Sequence, residues 1–430
     1  MTKRPDHATL GPDDWEACLR VLRAVVNDPV GADPSEEFKT LVAKINRTAR
    51  KQRRRAQQAD RTEDALVLPR MPRARACYVC KASYQSRHPR YALLCPACGA
   101  LNEAKRAQQA NLTGRVALVT GGRVKIGHEV ALRLLRCGAR VIVTTRFPHD
   151  ASRRFEQQPD FNAWRHRLEV HGLDLRHLGH VQDFIQGLVA REASLDILIN
   201  NAAQTIARPA AYYARLLEAE RHAAPAVPGV VRSGFDLVDA GTPLALPDAP
   251  TIFPPGVLDA DGQQLDLRAE NSWSQRLHEV PPRDFLEAYL VNATAPFLLC
   301  AGVKPLMLRS VFERRFIVNV SAMEGQFNRA AKTVFHPHTN MAKAALNMLT
   351  RTSAADYASV GIFMNSVDTG WITNEHPHAT AERMRAEGFV LPLDVIDGAA
   401  RILDPVLRGV NEPDPPLRGH FLKDYAPYPW

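Results

Sequence analysis

A doubly wound α/β fold, with a parallel sheet covered by helices on both faces, is what three features of this 430-residue sequence predict. Short apolar runs at 116–119, 141–143, 195–199 and 316–320 read as strands buried on both sides. Helical segments alternate with these runs, the order that places crossover helices between parallel strands. The first run passes through Thr120-Gly121-Gly122 into a helix from about Ile126 to Cys137, a strand–turn–helix whose backbone N–H groups can meet a phosphate.

Composition is that of a globular protein, with 45% hydrophobic and 23% charged residues. No apolar run approaches the ~18 residues of a membrane span, and the start lacks the apolar stretch of a secretory signal. A cytoplasmic protein without membrane contact is the expectation. The whole net charge of +9 falls in the first 110 residues, and the remainder is balanced.

The N-terminal elements follow in order. Trp15, Leu19, Leu22 and Val26 recur at helical spacing over residues 12–27, after Asp13 with Glu16 in a capping-box arrangement. A second helix is expected from Asp33-Pro34, with Phe38, Leu41, Val42 and Ile45 on its apolar face. It runs into Arg47, Arg50, Lys51, Arg53, Arg54 and Arg55. No aromatic residue interleaves with these cations to stack on bases, so a solvated helix end is preferred to a nucleic-acid contact. Cys77-Tyr-Val-Cys80 and Cys95-Pro-Ala-Cys98 then form two C-x2-C turns fourteen residues apart. Four thiolates so spaced can close a tetrahedron around one structural Zn²⁺, and a small segment without its own core would fold around it. A short helix is expected over 101–111. Residues 204–284, with ten of the chain's 31 prolines, read as a long insertion of loops over the functional edge of the sheet. The expected organisation is a helical basic region (1–70), a four-cysteine zinc segment with linker helix (71–111), and the α/β domain (112–430).

Five motifs in sequence order carry a resemblance over 112–430. They are Thr120-Gly121-Gly122-Arg123-Val124-Lys125-Ile126-Gly127, Asp174 with Leu175, Asn200-Asn201-Ala202-Ala203, Asn292, and Thr369-Gly370-Trp371-Ile372-Thr373. The domain resembles a short-chain dehydrogenase/reductase. That resemblance implies a Rossmann-type doubly wound parallel sheet, here preceded by a helical and zinc-ribbon-like N-terminal region. It also implies a dinucleotide on Thr120 to Gly127, Asp174, Leu175, Asn201, Ala202, Ala203, Lys343, Gly370 and Ile372. Lys125 stands where the family has its middle glycine, similar to pteridine reductases of the same family. The second strand ends Thr144-Thr145-Arg146, with no acid to accept from a ribose 2′-OH. Arg146 next to Thr145, with Arg123 as a second cation, favours a 2′-phosphate and hence NADP(H).

The catalytic positions depart from the family. Lys343 is in place, but Thr339 occupies the tyrosine position, and an aliphatic hydroxyl is far less acidic than a phenol. The family's serine falls on Ala322, with Ser321 beside it. Asn292, Lys343, Ser321, Thr339 and His338 form the candidate catalytic set, with His336 and Glu324 as further proton sources. Two functions follow: an NADP(H)-dependent oxidoreductase acting on a small-molecule C=O or C=N with a non-standard proton donor, or an inactive NADP(H)-binding sensor or scaffold. Trp273, Phe327 and Trp371 are candidate pocket residues. The family implies a homodimer or homotetramer.

Overall fold

The computed structural model describes residues 11–27, 70–222, 230–231, 249–329 and 332–430. The expected second helix and the basic run lie outside these residues. The chain divides into two compact units, residues 1–65 with 386–389, and the remainder. In the first unit the expected helix α1 spans Pro12–Asn27.

The second unit opens with a hairpin, β1 (Arg75–Ala76) and β2 (Ser83–Tyr84), followed by α2 (Pro96–Ala107). Pro96 begins this helix five residues before the sequence-based expectation, its fixed φ suiting the first turn. Alternation then runs through β3 (Val116–Thr120), α3 (Lys125–Arg136), β4 (Arg140–Thr145), α4 (Pro148–Glu156), β5 (Leu168–Gly172), α5 (Leu178–Arg191) and β6 (Ile197–Asn200). The inserted segment holds α6 (Ala210–His222) and β7 (Val230–Val231). The chain continues with α7 (Pro282–Tyr289), α8 (Ala295–Leu308), β8 (Arg315–Ser321), α9 (Pro337–Ser359), β9 (Ile362–Asp368), α10 (Val395–Asn411), β10 (Phe421–Lys423) and β11 (Ala426–Tyr428). The insertion is therefore not all loop. Tyr212 and Glu220 of the thirteen-residue α6 are buried.

Among the described residues one sheet is ordered β11-β10-β9-β8-β6-β3-β4-β5-β7, parallel except for β11. The chain moves outward from β3 to β4 and β5, then returns past β3 to β6. The switch point between β3 and β6 is where a ligand crosses the carboxyl ends of such strands. Period-two alternation divides the core. Ala117, Val119, Val141, Val143, Val318 and Val320 pack with α3 and α10, whereas Leu118, Ile142, Leu198, Ile317 and Met364 pack with α5, α8 and α9. A buried polar chain fixes register across the second face. Asn200 donates to Asn319 at 2.8 Å, Asn319 donates to Thr350 at 2.9 Å, and Ser366 donates to Thr350 at 2.8 Å.

Pro282–Leu308 is long and apolar enough to qualify as a membrane span, which corrects the expectation that no segment would. Half of its most apolar window is buried, and Leu299, Val303 and Leu306 belong to the core against α5. Its α8 part is a core helix of this face of the sheet.

The four-cysteine segment does not stand apart. Met71, Tyr84, Tyr91 and Leu94 share a core with Ile372 and Leu393 of the α/β domain. Tyr91 Oη donates to buried Asp397 at 2.6 Å, Arg106 bridges Asp394 and Asp397 at 2.6 and 3.0 Å, and Lys105 meets Asp404 at 2.5 Å. Asp404 is 1% exposed, so removing its cation leaves a charge in a low dielectric. Lys105→Met is expected to lower unfolding stability by about 3 kcal/mol in urea titrations, with Arg408 at 3.9 Å supplying only partial compensation. A change below about 0.5 kcal/mol would show that Asp404 is solvated, the size usual for surface substitutions.

Candidate functional site

The glycine turn is built from inside. Thr120 Oγ1 accepts from the N–H groups of Asn201 and Ala202, both at 3.0 Å, which draws the Asn200-Asn201-Ala202-Ala203 segment alongside it. Asn201 Nδ2 donates to the carbonyls of Thr120 and Gly121 at 3.0 and 3.3 Å. A Cβ at Gly127 would fall 2.3 Å from Gly121 O and 2.4 Å from Asn201 Nδ2, so only glycine closes this turn. Lys125 begins α3 with φ +55°, the left-handed conformation that favours glycine. Its ammonium pairs at 3.1 Å with Asp261 of the insertion. A cleft of about 250 Å³ opens here, lined by Arg123, Lys125, His128, Arg154 and Asp261 among others.

Arg123, expected as the second cation for a 2′-phosphate, is already engaged. It is buried and satisfied within the protein by Asp150 at 2.8 Å and Gln263 at 3.0 Å. Arg146, in contrast, pairs with no carboxylate among the described residues. Its guanidinium donates to the Tyr213 hydroxyl at 2.8 Å and lies over the Tyr213 ring at 4.5 Å. Thr145 Oγ1 accepts from Phe147 N at 3.1 Å, shaping the bend after β4. Burial works against ionisation of Asp174, but Arg176 outweighs it with contacts of 2.6 to 3.0 Å and holds the carboxyl below its usual range. Leu175 beside it is buried. Arg176 continues to Glu287 at 3.2 Å, Glu287 accepts from Gln204 at 2.9 Å, and Gln204 N donates to Asn292 Oδ1 at 2.7 Å. One polar network thus joins Asp174 to Asn292. Asn292 sits in a π-helical turn, Leu290–Thr294, between α7 and α8, a distortion that often marks functional positions.

Lys343 projects from α9, and its Nζ donates to Val320 O at 2.7 Å. Burial lowers its pKa to about 8, with the charge of Glu324 opposing the shift. A Cβ on Gly325 would come within 2.7 Å of the Lys343 carbonyl carbon, so the 323–325 turn lies flat on α9 beside it. The other candidate catalytic groups are less available. Thr339 Oγ1 donates to His336 O at 2.9 Å and is buried, an intrahelical role that takes it out of proton transfer. Ser321 shares the strand face of Ile317 and Asn319, toward α9, and its buried hydroxyl has no partner among the described residues. Burial lowers the pKa of His338, which favours the neutral imidazole. His336 is pushed down to about 4 by burial, with His338 next, and is stacked on Trp273 at 3.8 Å. Glu324 is partly exposed and faces Arg329 at 3.6 Å. Phe327 is exposed, and Trp371 is partly so.

Gly370 and Ile372 follow β9. Gly370 takes φ +82°, and Ile372 packs onto Gly398 of α10 together with Ile126 of the glycine turn.

The sulfur atoms of Cys77, Cys80, Cys95 and Cys98 all lie within 4.8 Å of one another. Zn–S bonds of ~2.3 Å imply tetrahedron edges of about 3.8 Å, and Cys80 and Cys95 are 3.8 Å apart. Lys81, with φ +62°, closes the first turn, and Cys95 N donates to Cys77 Sγ at 3.3 Å. Burial disfavours ionisation of Cys77, but the N–H groups of Cys95, Cys80 and Val79 prevail and bring this thiol down to about 7. The donor set fits Zn²⁺.

Fold and site together define a dinucleotide-binding α/β domain. A short chain dehydrogenase family model matches residues 115–220, and a model described as enoyl-(acyl carrier protein) reductase matches 268–390. An uncharacterized protein of Acanthamoeba polyphaga mimivirus is 33% identical over 346 residues, covering 77% of this chain and 71% of its own length. Human dehydrogenase/reductase SDR family member 13 is 34% identical over 108 residues, 25% of this chain and 26% of that protein. Human retinol dehydrogenase 13 is 31% identical over 96 residues, 22% and 28% respectively. These two human matches span about a quarter of each relative's length. Among solved structures, NADPH-bound carbonyl reductase from chicken fatty liver aligns with a TM-score of 0.47 and 19% identity over 74% of this chain and 100% of its own. The chain belongs to the short-chain dehydrogenase/reductase family.

Proposed function

We propose that the chain is an NADP(H)-dependent oxidoreductase acting on a small-molecule C=O or C=N, with Lys343 as the proton source in place of a tyrosine. The observation that carries this reading is the pairing of an intact nucleotide end with a lysine that has no carboxylate partner among the described residues. NADP(H), when bound, supplies or accepts the hydride. Arg146 and Tyr213 would hold the 2′-phosphate, the N-terminal turn of α3 would face the pyrophosphate, and Asn292 with Lys343 would flank the reacting end. The insertion would help exclude water there. Asn271 donates to Glu375 O at 3.0 Å, Ala207 N donates to Ser272 Oγ at 3.0 Å, and Trp273 covers His336.

A lysine with a pKa near 8 is matched to proton donation near neutral pH. Protonated Lys343 is the active form for reduction, so kcat/KM should fall as pH rises through about 8. A screen over imines, dihydropterins and carbonyl compounds, followed by pH–rate profiles, tests this. Lys343→Met should cost about 100-fold or more in turnover and abolish the alkaline limb. A flat profile from pH 7 to 9 in an active enzyme would contradict the assignment. The loss of the tyrosine and serine favours a second reading, an inactive NADP(H) sensor or scaffold, which binds the nucleotide equally well and turns over nothing.

The same reading gives Cys77, Cys80, Cys95 and Cys98 a structural Zn²⁺ and places the protein in the cytoplasm, where thiols stay reduced. It also makes the chain a homodimer or homotetramer. Phe297 on α8 and Met341 and Met348 on α9 are exposed apolar side chains on the helices offered for self-association.

A further inference from the structure

Tyr78 lies between the two cysteines of the first C-x2-C turn, so the positions of Cys77 and Cys80 set its backbone. Its amide donates to Leu93 O at 2.9 Å, which links this turn to the approach to the second cysteine pair. Its hydroxyl leaves the zinc segment and accepts from Trp371 N at 2.8 Å, in the loop that follows β9. The ring lies beneath Lys423, whose ammonium pairs with Asp424 at 2.7 Å and approaches Asp368 at 4.0 Å. Asp368 ends β9 and accepts from Met323 N at 3.2 Å, reaching the turn that rests on Lys343.

Packing follows the same route. Cys77 shares one apolar cluster with Leu393 and Ile372, and Tyr78, Cys95, Cys98 and Ile126 pack against it. A Cβ on Gly370 would meet Leu393 at 2.5 Å and the Tyr78 hydroxyl at 3.6 Å, so the loop is wedged between the zinc turns and the approach to α10. With strands ordered β9-β8-β6-β3-β4, a dinucleotide whose 2′-phosphate lay on Arg146 and which crossed the switch point would bring its nicotinamide toward the ends of β8 and β9, beside this loop.

We infer that Tyr78 is a positioning residue through which metal occupancy of the four-cysteine site sets the affinity for the nicotinamide half of the cofactor. The inference rests on the NADP(H) reading above. Zinc fixes the turn, the turn fixes the Tyr78 hydroxyl, and the hydroxyl holds the 369–373 loop in the conformation that receives the nicotinamide.

The test is calorimetric titration of the full chain with NADPH and, separately, with 2′,5′-ADP, which carries the adenosine end without the nicotinamide. Zinc-loaded wild type, chelator-stripped wild type, Tyr78→Phe and Arg90→Ala are compared, the last altering an exposed ion pair elsewhere in the segment. Tyr78→Phe should keep one zinc per chain and its melting temperature, bind 2′,5′-ADP unchanged, and bind NADPH about five-fold more weakly, the effect of one lost hydrogen bond. The stripped chain should lose more, with recovery on zinc addition, and Arg90→Ala should match wild type. Equal NADPH affinity in wild type and Tyr78→Phe at full zinc overturns the inference, as does a parallel loss of 2′,5′-ADP. Failure of every form, zinc-loaded wild type included, to bind NADPH removes the NADP(H) reading itself and the inference with it.

Discussion

Arg146→Glu should weaken NADPH binding by about 100-fold or more and leave NADH binding within a few-fold of wild type. Arg146 is the cation at the end of β4 that pairs with no carboxylate among the described residues, held instead by the Tyr213 hydroxyl and ring. A phosphate arriving there gains charge-assisted hydrogen bonds without displacing an ion pair. Arg123, one strand earlier in sequence and over the same Phe147 ring as Arg146, is not free to substitute, because Asp150 and Gln263 already engage it. The substitution also supplies an acid that can accept from a ribose 2′-OH, so the ratio of the two affinities should reverse. Parallel titrations with both nucleotides read this directly. Equal losses for NADPH and NADH would assign Arg146 to folding rather than to the 2′-phosphate.

Zinc removal is expected to have the largest effect on stability. The core under hairpin β1–β2 is small, with Met71, Cys77, Tyr84, Tyr91 and Leu94 closing on Ile372 and Leu393 of the α/β domain. Without the metal, four thiols would remain packed within 4.8 Å of one another. A strong chelator or Cys95→Ser should lower the melting temperature by about 10 °C or more and abolish hydrogen-exchange protection over residues 75–107. Release of Tyr91, Arg106 and Lys105 would leave buried Asp397 with the Asp394 N–H at 3.0 Å and buried Asp404 with Arg408 at 3.9 Å, which carries the loss into α10. Unchanged melting after verified metal loss would show that the segment folds on packing alone.

Much of the fold was legible because it depends on local patterns. Runs such as Val116–Thr120 and Arg315–Ser321 are largely apolar and buried on both sides, as a sheet covered on both faces requires. Helix α1 matched its periodicity, and the cysteine spacing anticipated the clustered sulfur atoms. Helix α6 was hidden in the proline-rich insertion, because Ala210–His222 lacks a regular apolar stripe. The docking of the zinc segment was equally hidden. It depends on residues some 300 positions apart, such as Tyr78 with Trp371 and Tyr91 with Asp397. No periodicity encodes such pairs.

The site divides in the same way. Thr120, Gly121, Asn201 and Ala202 stand together at the switch point, whereas Arg176, Glu287, Gln204 and Tyr213 carry no motif and emerged only from contacts. Local spacing set Thr339 four residues before Lys343, whereas the place of His338 in the first turn of the same helix came from the structure. Spacing could not show that Thr339 turns its hydroxyl to His336 O or that burial favours the neutral imidazole of His338. Those properties belong to the tertiary environment. A lysine carrying a pKa near 8 is likewise a consequence of burial that sequence does not display.

The central claim is that this chain holds NADP(H) across the switch point of its sheet, and calorimetric titration of the zinc-loaded protein with NADPH and NADH in parallel tests it most directly. The account predicts saturable binding of NADPH with one site per chain and binding of NADH weaker by about 100-fold, the difference a 2′-phosphate on Arg146 would make. Binding of neither nucleotide would contradict it, and would mean that Lys125 with its Asp261 partner closes the turn to a pyrophosphate.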